Sequence, residues 1–331
     1  MTGQRWILVI PPEGAARNVA HHTANAFLKL LGQDTFKVVD SASYLHAFTQ
    51  LLRTPDDSMT VDLFNQSLTV TTFNFQPTHL LVTALAPVTL FTLNLMRKYG
   101  IRTIHWFFED YRKATYWESV IEGYDHFFAV QRGNLQERCA GTDTAYCFLP
   151  TACACADIPY TNGKRPYDLV FIGLASSYRA SVLETLARGN LRIAIAGSGW
   201  NQYHGPLEPM IVTSSWVNDE QAFSLMQQSK TGINLSFDNP SGREDVQISP
   251  RLYDLMAAGC LPVSEDVPLL EMAAPGAQVS RFSTADEAVV VVKKLLEGYS
   301  PQDHRIVENR ALVLNRHRYV HRIEEIIRET G

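Results

Sequence analysis

The sequence predicts an α/β protein built from two doubly wound, Rossmann-like domains. The chain has 331 residues, which exceeds the usual size of a single domain core. Its hydrophobic content of 46% and charged content of 19% are ordinary values for a globular protein. In both halves, short apolar runs alternate with longer helical stretches. This alternation is typical of parallel sheets covered by crossover helices.

Six apolar runs in each half predict the strands. In the first half these runs are RWILVI, FKVVD, HLLVTAL, IRTIHWFF, DHFFAV and AYCFLP. In the second half they are YDLVFIG, LRIAIAG, MIVTSSWV, TGINLSF, CLPVSED and QVSRFS. Periodicity predicts helices in the second half near 178–188, 219–229, 249–258 and 285–297.

Composition divides the chain into four segments. An N-terminal Rossmann-like domain is predicted over 1–155. The segment ADIPYTNGKRP, at 156–166, concentrates proline, glycine, asparagine and charge, and therefore predicts a linker. A second Rossmann-like domain is predicted over 167–300. Residues 301–331 predict a C-terminal helix able to pack back on the N-terminal domain, and two such domains imply a cleft between them.

Charge and motif content exclude several classes of protein. The net charge of −5 argues against general binding of nucleic acid or anionic lipid. No apolar run reaches the roughly 18 residues that span a bilayer, and the N-terminus lacks the long apolar segment of a signal peptide. The five cysteines show no C-x-x-C spacing. We therefore expect a cytoplasmic protein with reduced thiols. The absence of G-x-G-x-x-G and of the P-loop pattern disfavours a redox dinucleotide and P-loop chemistry.

The loop after YDLVFIG is the first candidate site, because ligands of parallel sheets bind beyond the carboxyl ends of strands. Gly173 permits close approach of the backbone, Ser176 and Ser177 offer hydroxyls and a helix cap, and Arg179 lies in the first turn. Free amides at a helix start together with a guanidinium form a suitable cradle for a diphosphate. The alternative is an ordinary capped helix with a solvated arginine.

The segment SPRLYDLMAAGCLPVSED, at 249–266, is the second candidate site. Arg251 and Asp254 are three residues apart, so they share a helix face. The arginine suits a phosphate, and the carboxylate can accept two hydrogen bonds from the ribose diol. The alternative is an ion pair on a helix surface. Further candidate donor contacts are Trp216, Asn234 and Arg243.

This segment resembles the C-terminal signature of the GT-B glycosyltransferases, and in detail that of the CgeB-like (spore maturation protein-like) group. The resemblance covers 167–331 best and implies two domains facing across a cleft. It assigns the donor ribose to Asp254. Many retaining GT-B enzymes carry a glutamate eight positions before this acid, but here the residue is Val246, and Glu244 and Asp245 are out of register.

In such an enzyme the N-terminal domain supplies the acceptor side and any general base. Three candidate catalytic residues lie in and after the IRTIHWFF run: His105, Glu109 and Asp110. Asp110 is favoured because it lies just past the carboxyl end of a predicted strand. The alternative is that Asp110 only pairs with Arg112.

The resemblance therefore implies transfer of a sugar from a nucleoside-diphosphate sugar to an acceptor hydroxyl. The acceptor is unknown and is a glycan, a protein or a small molecule. No D-x-D motif is present to hold a metal ion, so we expect a reaction without metal or other cofactor. Three alternatives stay open: a non-catalytic nucleotide- or sugar-binding scaffold of the same fold, a two-lobed binding protein of the periplasmic type, and a sugar-nucleotide epimerase of GT-B type.

Overall fold

The chain folds into two compact α/β units. The structure, a computed structural model, describes residues 3–52, 57–161 and 163–331. The first unit comprises Met1–Thr151 together with Tyr319–Gly331, and the second comprises Ala152–Arg318. Each unit has a hydrophobic core of its own.

The first unit contains a six-stranded sheet in the order β2-β1-β3-β4-β5-β6, with every neighbouring pair parallel. Residues of β1 and β3 are buried throughout, as expected for parallel strands covered on both faces. The elements are β1 Trp6–Ile10, α1 Gly14–Leu31, β2 Phe36–Asp40, α2 Ser41–Leu51, α3 Asp57–Phe75, β3 His79–Thr83, α4 Leu90–Lys98, β4 Arg102–Phe107, β5 His126–Ala129, α5 Asn134–Ala140 and β6 Ala145–Phe148.

The second unit contains another parallel sheet, in the order β12-β11-β10-β7-β8-β9. Its elements are β7 Tyr167–Ile172, α6 Ser177–Arg188, β8 Ile193–Ala196, β9 Ile211–Thr213, α7 Asp219–Gln227, β10 Ser229–Asn234, α8 Arg251–Ala257, β11 Leu261–Glu265, α9 Leu269–Ala273, β12 Ser280–Phe282, α10 Ala285–Glu297 and α11 His304–Arg316. Each of the twelve strands coincides with one of the apolar runs, so the predicted fold class is confirmed.

The last helix, α12, spans Tyr319–Thr330 and belongs to the first unit. Its apolar face is buried, with Ile323 and Ile326 fully enclosed, and it packs against α1. The ring of Tyr319 stacks on that of His22 at 5.1 Å between centroids. The chain therefore returns to the first sheet after completing the second.

The segment 156–166, which composition predicts as a linker, is grouped with the second unit. Arg165 in this segment is buried, and its guanidinium donates to the carbonyl oxygens of Ser229 at 2.5 Å and Ala258 at 2.8 Å. Asn162 lies outside the described residues. Part of the polar segment is thus held in the second unit by a buried arginine.

At the amino-terminal edge of the second sheet, the carboxylate of Asp168 in β7 forms ion pairs with two cationic side chains. Its Oδ1 lies 2.8 Å from Lys230 Nζ and 3.2 Å from Arg192 Nη2. Burial raises the pKa of Asp168, but the hydrogen bonds from the two cations outweigh this effect and bring the pKa down to about 2. This cluster joins three neighbouring strands at the edge opposite to the candidate site.

None of the described helices is long and apolar enough to cross a lipid bilayer.

Candidate functional site

The strand order of the second sheet places a topological switch point between β7 and β10. These two strands are neighbours, and the chain continues from β7 to β8 on one side and from β10 to β11 on the other. Loops that leave the carboxyl ends of such strands diverge and leave a crevice, where ligands of open α/β sheets bind. The loops after β7, β10 and β11 therefore form the candidate site.

Gly173 follows β7 at this edge and is enclosed by protein atoms. A Cβ atom at this position would lie 2.9 Å from the Phe171 ring, so a larger residue would displace that ring. The Gly173 N–H donates to the carbonyl oxygen of Ala196 at 2.9 Å, and its carbonyl accepts from Trp200 Nε1 at 3.0 Å. The glycine thus serves close packing of two loops, and its amide is not available to a phosphate.

Ser176 is the N-cap of α6, as its position after the strand predicts. Its Oγ accepts from the Arg179 N–H at 3.2 Å and donates to the carbonyl oxygen of Phe237 at 2.6 Å. Ser177 is the first residue of the helix. The cap therefore satisfies one free amide of the helix start and also connects the loop after β7 to the loop after β10.

Arg179 joins the two loops at the switch point. Its guanidinium donates to three carbonyl oxygens, those of Leu174 at 2.9 Å, Leu235 at 2.8 Å and Ser236 at 3.0 Å. Burial lowers the pKa of Arg179 to about 10, against the effect of nearby carboxylates. Three of the guanidinium N–H donors are thus directed to backbone carbonyls, and the role of Arg179 as a phosphate ligand stays a prediction.

Asp254 lies on α8 and is fully buried, at 0% exposure. Its Oδ1 accepts from the Ala154 N–H at 2.8 Å, the Cys155 N–H at 3.2 Å and the Cys153 thiol at 3.2 Å. Its Oδ2 lies 3.0 Å from Arg251 Nη1. Both oxygens are thus engaged by protein groups. In this structure the carboxylate organises the 153–155 turn, and its direct contact with ribose stays a prediction.

Arg251, the first residue of α8, retains partial access to solvent, with 20% of its side chain exposed. Burial opposes its charge, but the neighbouring Asp254 and Asp219 carboxylates outweigh this and raise the pKa of Arg251. The Asp219 Oδ1 is 3.9 Å away. The backbone N–H of Arg251 donates to Ser249 Oγ at 3.3 Å. The predicted Arg251–Asp254 pair is present, and of the two it is the arginine that reaches the surface.

Three further donor candidates occupy different environments. Trp216 lies between β9 and α7 and is 51% exposed, so its ring is accessible. Asn234 ends β10 and is buried, with its Nδ2 donating to Ser264 Oγ at 3.0 Å. This amide therefore connects β10 to β11 and does not face a ligand. Arg243 lies in the loop after β10 and lines a cavity.

That cavity, of about 370 Å³, opens at the carboxyl edge of the second sheet. It is enclosed by the start of α6, the loop after β10 and the ends of β11 and β12. The lining residues are Tyr178, Asn239, Pro240, Ser241, Gly242, Arg243, Glu244, Glu265, Asp266, Phe282 and Ser283. Sequence reasoning missed Tyr178 and Glu265. A signal for Glu265 was present, since it is a carboxylate near the carboxyl end of the predicted strand CLPVSED.

Glu265 is the buried carboxylate of this cavity. Its Oε2 accepts from the Ser236 N–H at 2.7 Å and from Ser236 Oγ at 2.6 Å. Burial raises the pKa of Glu265, although Ser236, the Tyr178 hydroxyl and the Arg179 charge lower it in part. A carboxyl group with a raised pKa in a cavity is a frequent property of functional sites.

In the first unit, His105 belongs to the core of the sheet. It lies in β4 at 0% exposure, with Nδ1 2.8 Å from the carbonyl oxygen of Val82 and Nε2 3.2 Å from the hydroxyl of Tyr116. Its ring also stacks on Tyr124 at 4.8 Å. Burial lowers the pKa of His105 to about 3. The prediction that His105 is a general base is therefore wrong, because no substrate hydroxyl reaches an enclosed and fully partnered ring.

Asp110 and Glu109 lie just after β4. Asp110 pairs with Arg112, with Oδ1 3.0 Å from Arg112 Nε and Oδ2 3.0 Å from Nη2, which is the alternative that the sequence left open. Glu109 is half-buried, and its pKa is raised by burial and by the neighbouring Asp110. Of the three predicted catalytic residues, Glu109 therefore has the properties of a base that is partly desolvated.

No group of three or more His, Cys, Asp or Glu side chains is placed to hold a metal ion in the part of the chain that the structure describes.

Comparison with solved structures finds the same architecture in other proteins. Anabaena Alr3699/HepE in complex with UDP is 12% identical, with a TM-score of 0.66, and the match covers 98% of this chain and 99% of that one. A glycosyltransferase from Rickettsia africae is 12% identical, with a TM-score of 0.64 and coverage of 99% and 98%. The lipopolysaccharide outer core galactosyltransferase WaaB is 12% identical, with a TM-score of 0.63 and coverage of 99% and 100%.

Comparison by sequence finds similarity over a shorter part of the chain. The family described as "Glycosyl transferase-like" matches residues 179–328, which span most of the second unit from the start of α6 into α12. A search of curated proteins gives no significant match. The chain therefore has the two-domain GT-B fold of these solved structures, and its C-terminal half is similar in sequence to the glycosyl transferase-like family.

Proposed function

We propose that this protein is a glycosyltransferase that moves a sugar from a nucleoside-diphosphate sugar to an acceptor hydroxyl. Within this class, the Arg251–Asp254 pattern leads us to propose membership of the CgeB-like group. The acceptor is a glycan, a protein or a small molecule. A cytoplasmic location and a reaction without metal stay predictions.

The observation that carries this proposal is the agreement of two independent comparisons on the second unit. The glycosyl transferase-like family matches the segment that contains the loops after β10 and β11 at the carboxyl edge. The solved structures match over nearly the whole chain, and those of Anabaena Alr3699/HepE were determined with UDP and with UDP-glucose. A cavity of about 370 Å³ at this edge is within the range of small-molecule sites.

The chemistry requires that the leaving diphosphate, which gains negative charge as the glycosidic bond breaks, be stabilised by the protein. Arg243 lines the cavity and Arg251 reaches the surface, so they are the cations that we propose for this task. Arg179 contributes indirectly, because it holds the loops after β7 and β10 in place. Preorganised cations of this kind need no metal ion to stabilise the leaving group.

For the acceptor we propose Glu109 as the general base, with Asp110 as the neighbouring carboxylate that raises the pKa of Glu109. A base with a raised pKa is better matched to a hydroxyl proton at neutral pH than an ordinary carboxylate. Glu109→Gln keeps the size of the side chain and removes the basic oxygen. We expect it to lower the rate of transfer without weakening the binding of the donor nucleotide.

The first test is thermal unfolding in the presence of UDP, GDP, dTDP, ADP or CMP. A nucleotide at a hundredfold excess over its Kd stabilises the native state by about 2.7 kcal/mol. For a unit of this size that corresponds to a rise in Tm of about 5–10 °C. We expect one base to give this shift. If no nucleotide raises Tm, the proposed function is contradicted.

Two variants connect this binding to the site. Arg251→Gln and Arg243→Gln each remove one cation, and we expect each to weaken binding of the selected nucleotide by roughly tenfold or more, as for loss of a hydrogen bond to a charged group. Arg188→Gln serves as a matched control, because Arg188 is exposed at the C-terminal end of α6, away from the carboxyl edge. Equal affinities for all three variants would contradict the proposed site.

A second candidate function, nucleotide-sugar binding without transfer, is favoured by one observation. Val246 occupies the place of the glutamate that many retaining GT-B enzymes carry, and it is buried. Incubation with labelled donor sugars distinguishes the candidates. Slow release of free sugar that is lost in Arg251→Gln indicates a transferase. Binding without any release indicates the non-catalytic protein.

A further inference from the structure

The carboxylate of Glu265 is only half satisfied by the protein. One oxygen, Oε2, accepts two hydrogen bonds from Ser236. The other, Oε1, is buried and has no hydrogen-bond partner among the described residues. The side chain as a whole is 3% exposed, and it lines the cavity at the carboxyl edge. Glu265 therefore combines a carboxylate oxygen that has no partner with a position in the lining of a cavity that is large enough for a ligand.

A buried acceptor without a donor is costly and rare in native proteins, so it calls for an explanation. Replacement of Glu265 by an apolar residue would remove this cost, but it would also leave the Ser236 N–H without its acceptor. The nearby Arg179 offsets part of the charge, since it lowers the pKa of Glu265. The Tyr178 hydroxyl lowers this pKa as well. None of the three residues, Ser236, Tyr178 and Arg179, makes a hydrogen bond with Oε1. A ligand that brings its own donor would complete the site.

The chemistry of the cavity restricts what this donor can be. A carboxylate repels a phosphate group, so the diphosphate of a nucleotide does not lie against Glu265. The remaining lining offers a second carboxylate at Asp266, an amide at Asn239, a guanidinium at Arg243 and the ring of Phe282. Acceptors, donors and an apolar face together suit a polyol, whose hydroxyls both donate and accept.

We propose that Glu265 is a specificity-determining residue of the donor site, whose Oε1 accepts a hydrogen bond from a hydroxyl group of the bound nucleotide sugar. This inference rests on the proposed function and deepens it. The hydroxyl belongs either to the ribose or to the transferred sugar. Both sources offer the same chemistry to Glu265, and the experiment below separates them.

The test is Glu265→Gln, which keeps the shape of the side chain. The amide oxygen can accept both hydrogen bonds of Ser236, and the amide nitrogen then faces the cavity as a donor in place of an acceptor. The matched control is Glu271→Gln, which makes the same substitution at an exposed residue of α9 that does not line the cavity. Thermal unfolding of each variant without ligand establishes that it is folded.

Affinities of the wild type and both variants are measured by calorimetry for UDP, 2′-deoxy-UDP and UDP-glucose, or for the same set with the base that the thermal screen selects. Loss of a charge-assisted hydrogen bond predicts that Glu265→Gln binds its ligand roughly tenfold to a hundredfold more weakly. Weakening of the nucleotide sugar alone assigns the hydroxyl to the sugar. Weakening of UDP and of the nucleotide sugar, but not of 2′-deoxy-UDP, assigns it to the ribose. Glu271→Gln is expected to bind all three within a few-fold of the wild type.

Affinities of Glu265→Gln that equal those of the wild type for every probe would overturn the inference and leave the proposed function intact. Equal weakening of all three probes is followed by a measurement with 3′-deoxy-UDP. If Glu265→Gln binds this probe as well as the wild type does, the hydroxyl is the ribose 3′-hydroxyl; if this probe is weakened equally, the contact is with the base and the inference is overturned. Failure of the wild type to bind any nucleotide would contradict the proposed function itself. If Glu265→Gln does not fold, a crystal structure of the wild type with UDP-glucose decides: a ligand hydroxyl within about 3 Å of Oε1 supports the inference, and its absence overturns it.

Discussion

Replacement of Asp254 by alanine distinguishes a structural carboxylate from a ligand-binding one. In the structure this side chain is buried and accepts hydrogen bonds from the Ala154 and Cys155 amides, while its second oxygen pairs with Arg251. The alanine variant leaves two backbone N–H groups of the 153–155 turn without an acceptor. It also removes the nearest counter-charge of a mostly buried arginine.

The magnitude follows from these losses. A buried donor that loses its acceptor costs about 1–3 kcal/mol, and breaking a buried ion pair costs about 3–5 kcal/mol. In the variant, Arg251 still has the Asp219 carboxylate at 3.9 Å and some contact with solvent. These contacts reduce the contribution of the lost ion pair to the change in the free energy of unfolding. We therefore expect the free energy of unfolding of the second unit to fall by about 3–5 kcal/mol, or roughly 10 °C in Tm.

Differential scanning calorimetry measures this change, with Asp157→Ala as the matched control. Asp157 forms a pair with Arg318 that is exposed to solvent, so its loss should cost less than about 1 kcal/mol. An Asp254→Ala protein that is as stable as the wild type, but no longer binds the nucleotide, would refute the reasoning. It would restore the ribose contact that the sequence pattern implies.

Three further predictions concern packing and protonation. Asp168→Asn should lower stability by about 2 kcal/mol at neutral pH. Because the pKa of Asp168 is lowered to about 2, this difference should shrink as pH falls below about 4, which urea unfolding at several pH values measures. Gly197→Ala should destabilise the fold by more than about 2 kcal/mol in thermal unfolding, because its φ is 137° and the new Cβ would lie 2.2 Å from the Gly173 carbonyl oxygen. Since burial lowers the pKa of His105 to about 3, NMR should show no titration of its ring between pH 5 and 8.

The sequence by itself determined the fold class and the strands. Continuous apolar runs such as YDLVFIG predict buried parallel strands because side-chain burial follows local periodicity. It also determined the cap at Ser176 and the pairing of Arg251 with Asp254, which lie within one helical turn. These features depend on residues close together in the chain, and for that reason a local sequence pattern is sufficient to predict them.

The tertiary structure alone decided what the polar side chains do. Asp254 finds its amide donors about a hundred residues earlier, and Arg179 finds two of its carbonyl acceptors more than fifty residues later. In the sequence alone, the pattern suggested a ribose contact for Asp254 and a phosphate contact for Arg179. Glu265 shows the reverse case, since a residue to which the sequence pattern assigned no role has a carboxylate oxygen without a partner and lines a cavity. The role of a polar side chain depends on which groups, distant in sequence, contact it in the folded protein. Local periodicity contains no information on those contacts.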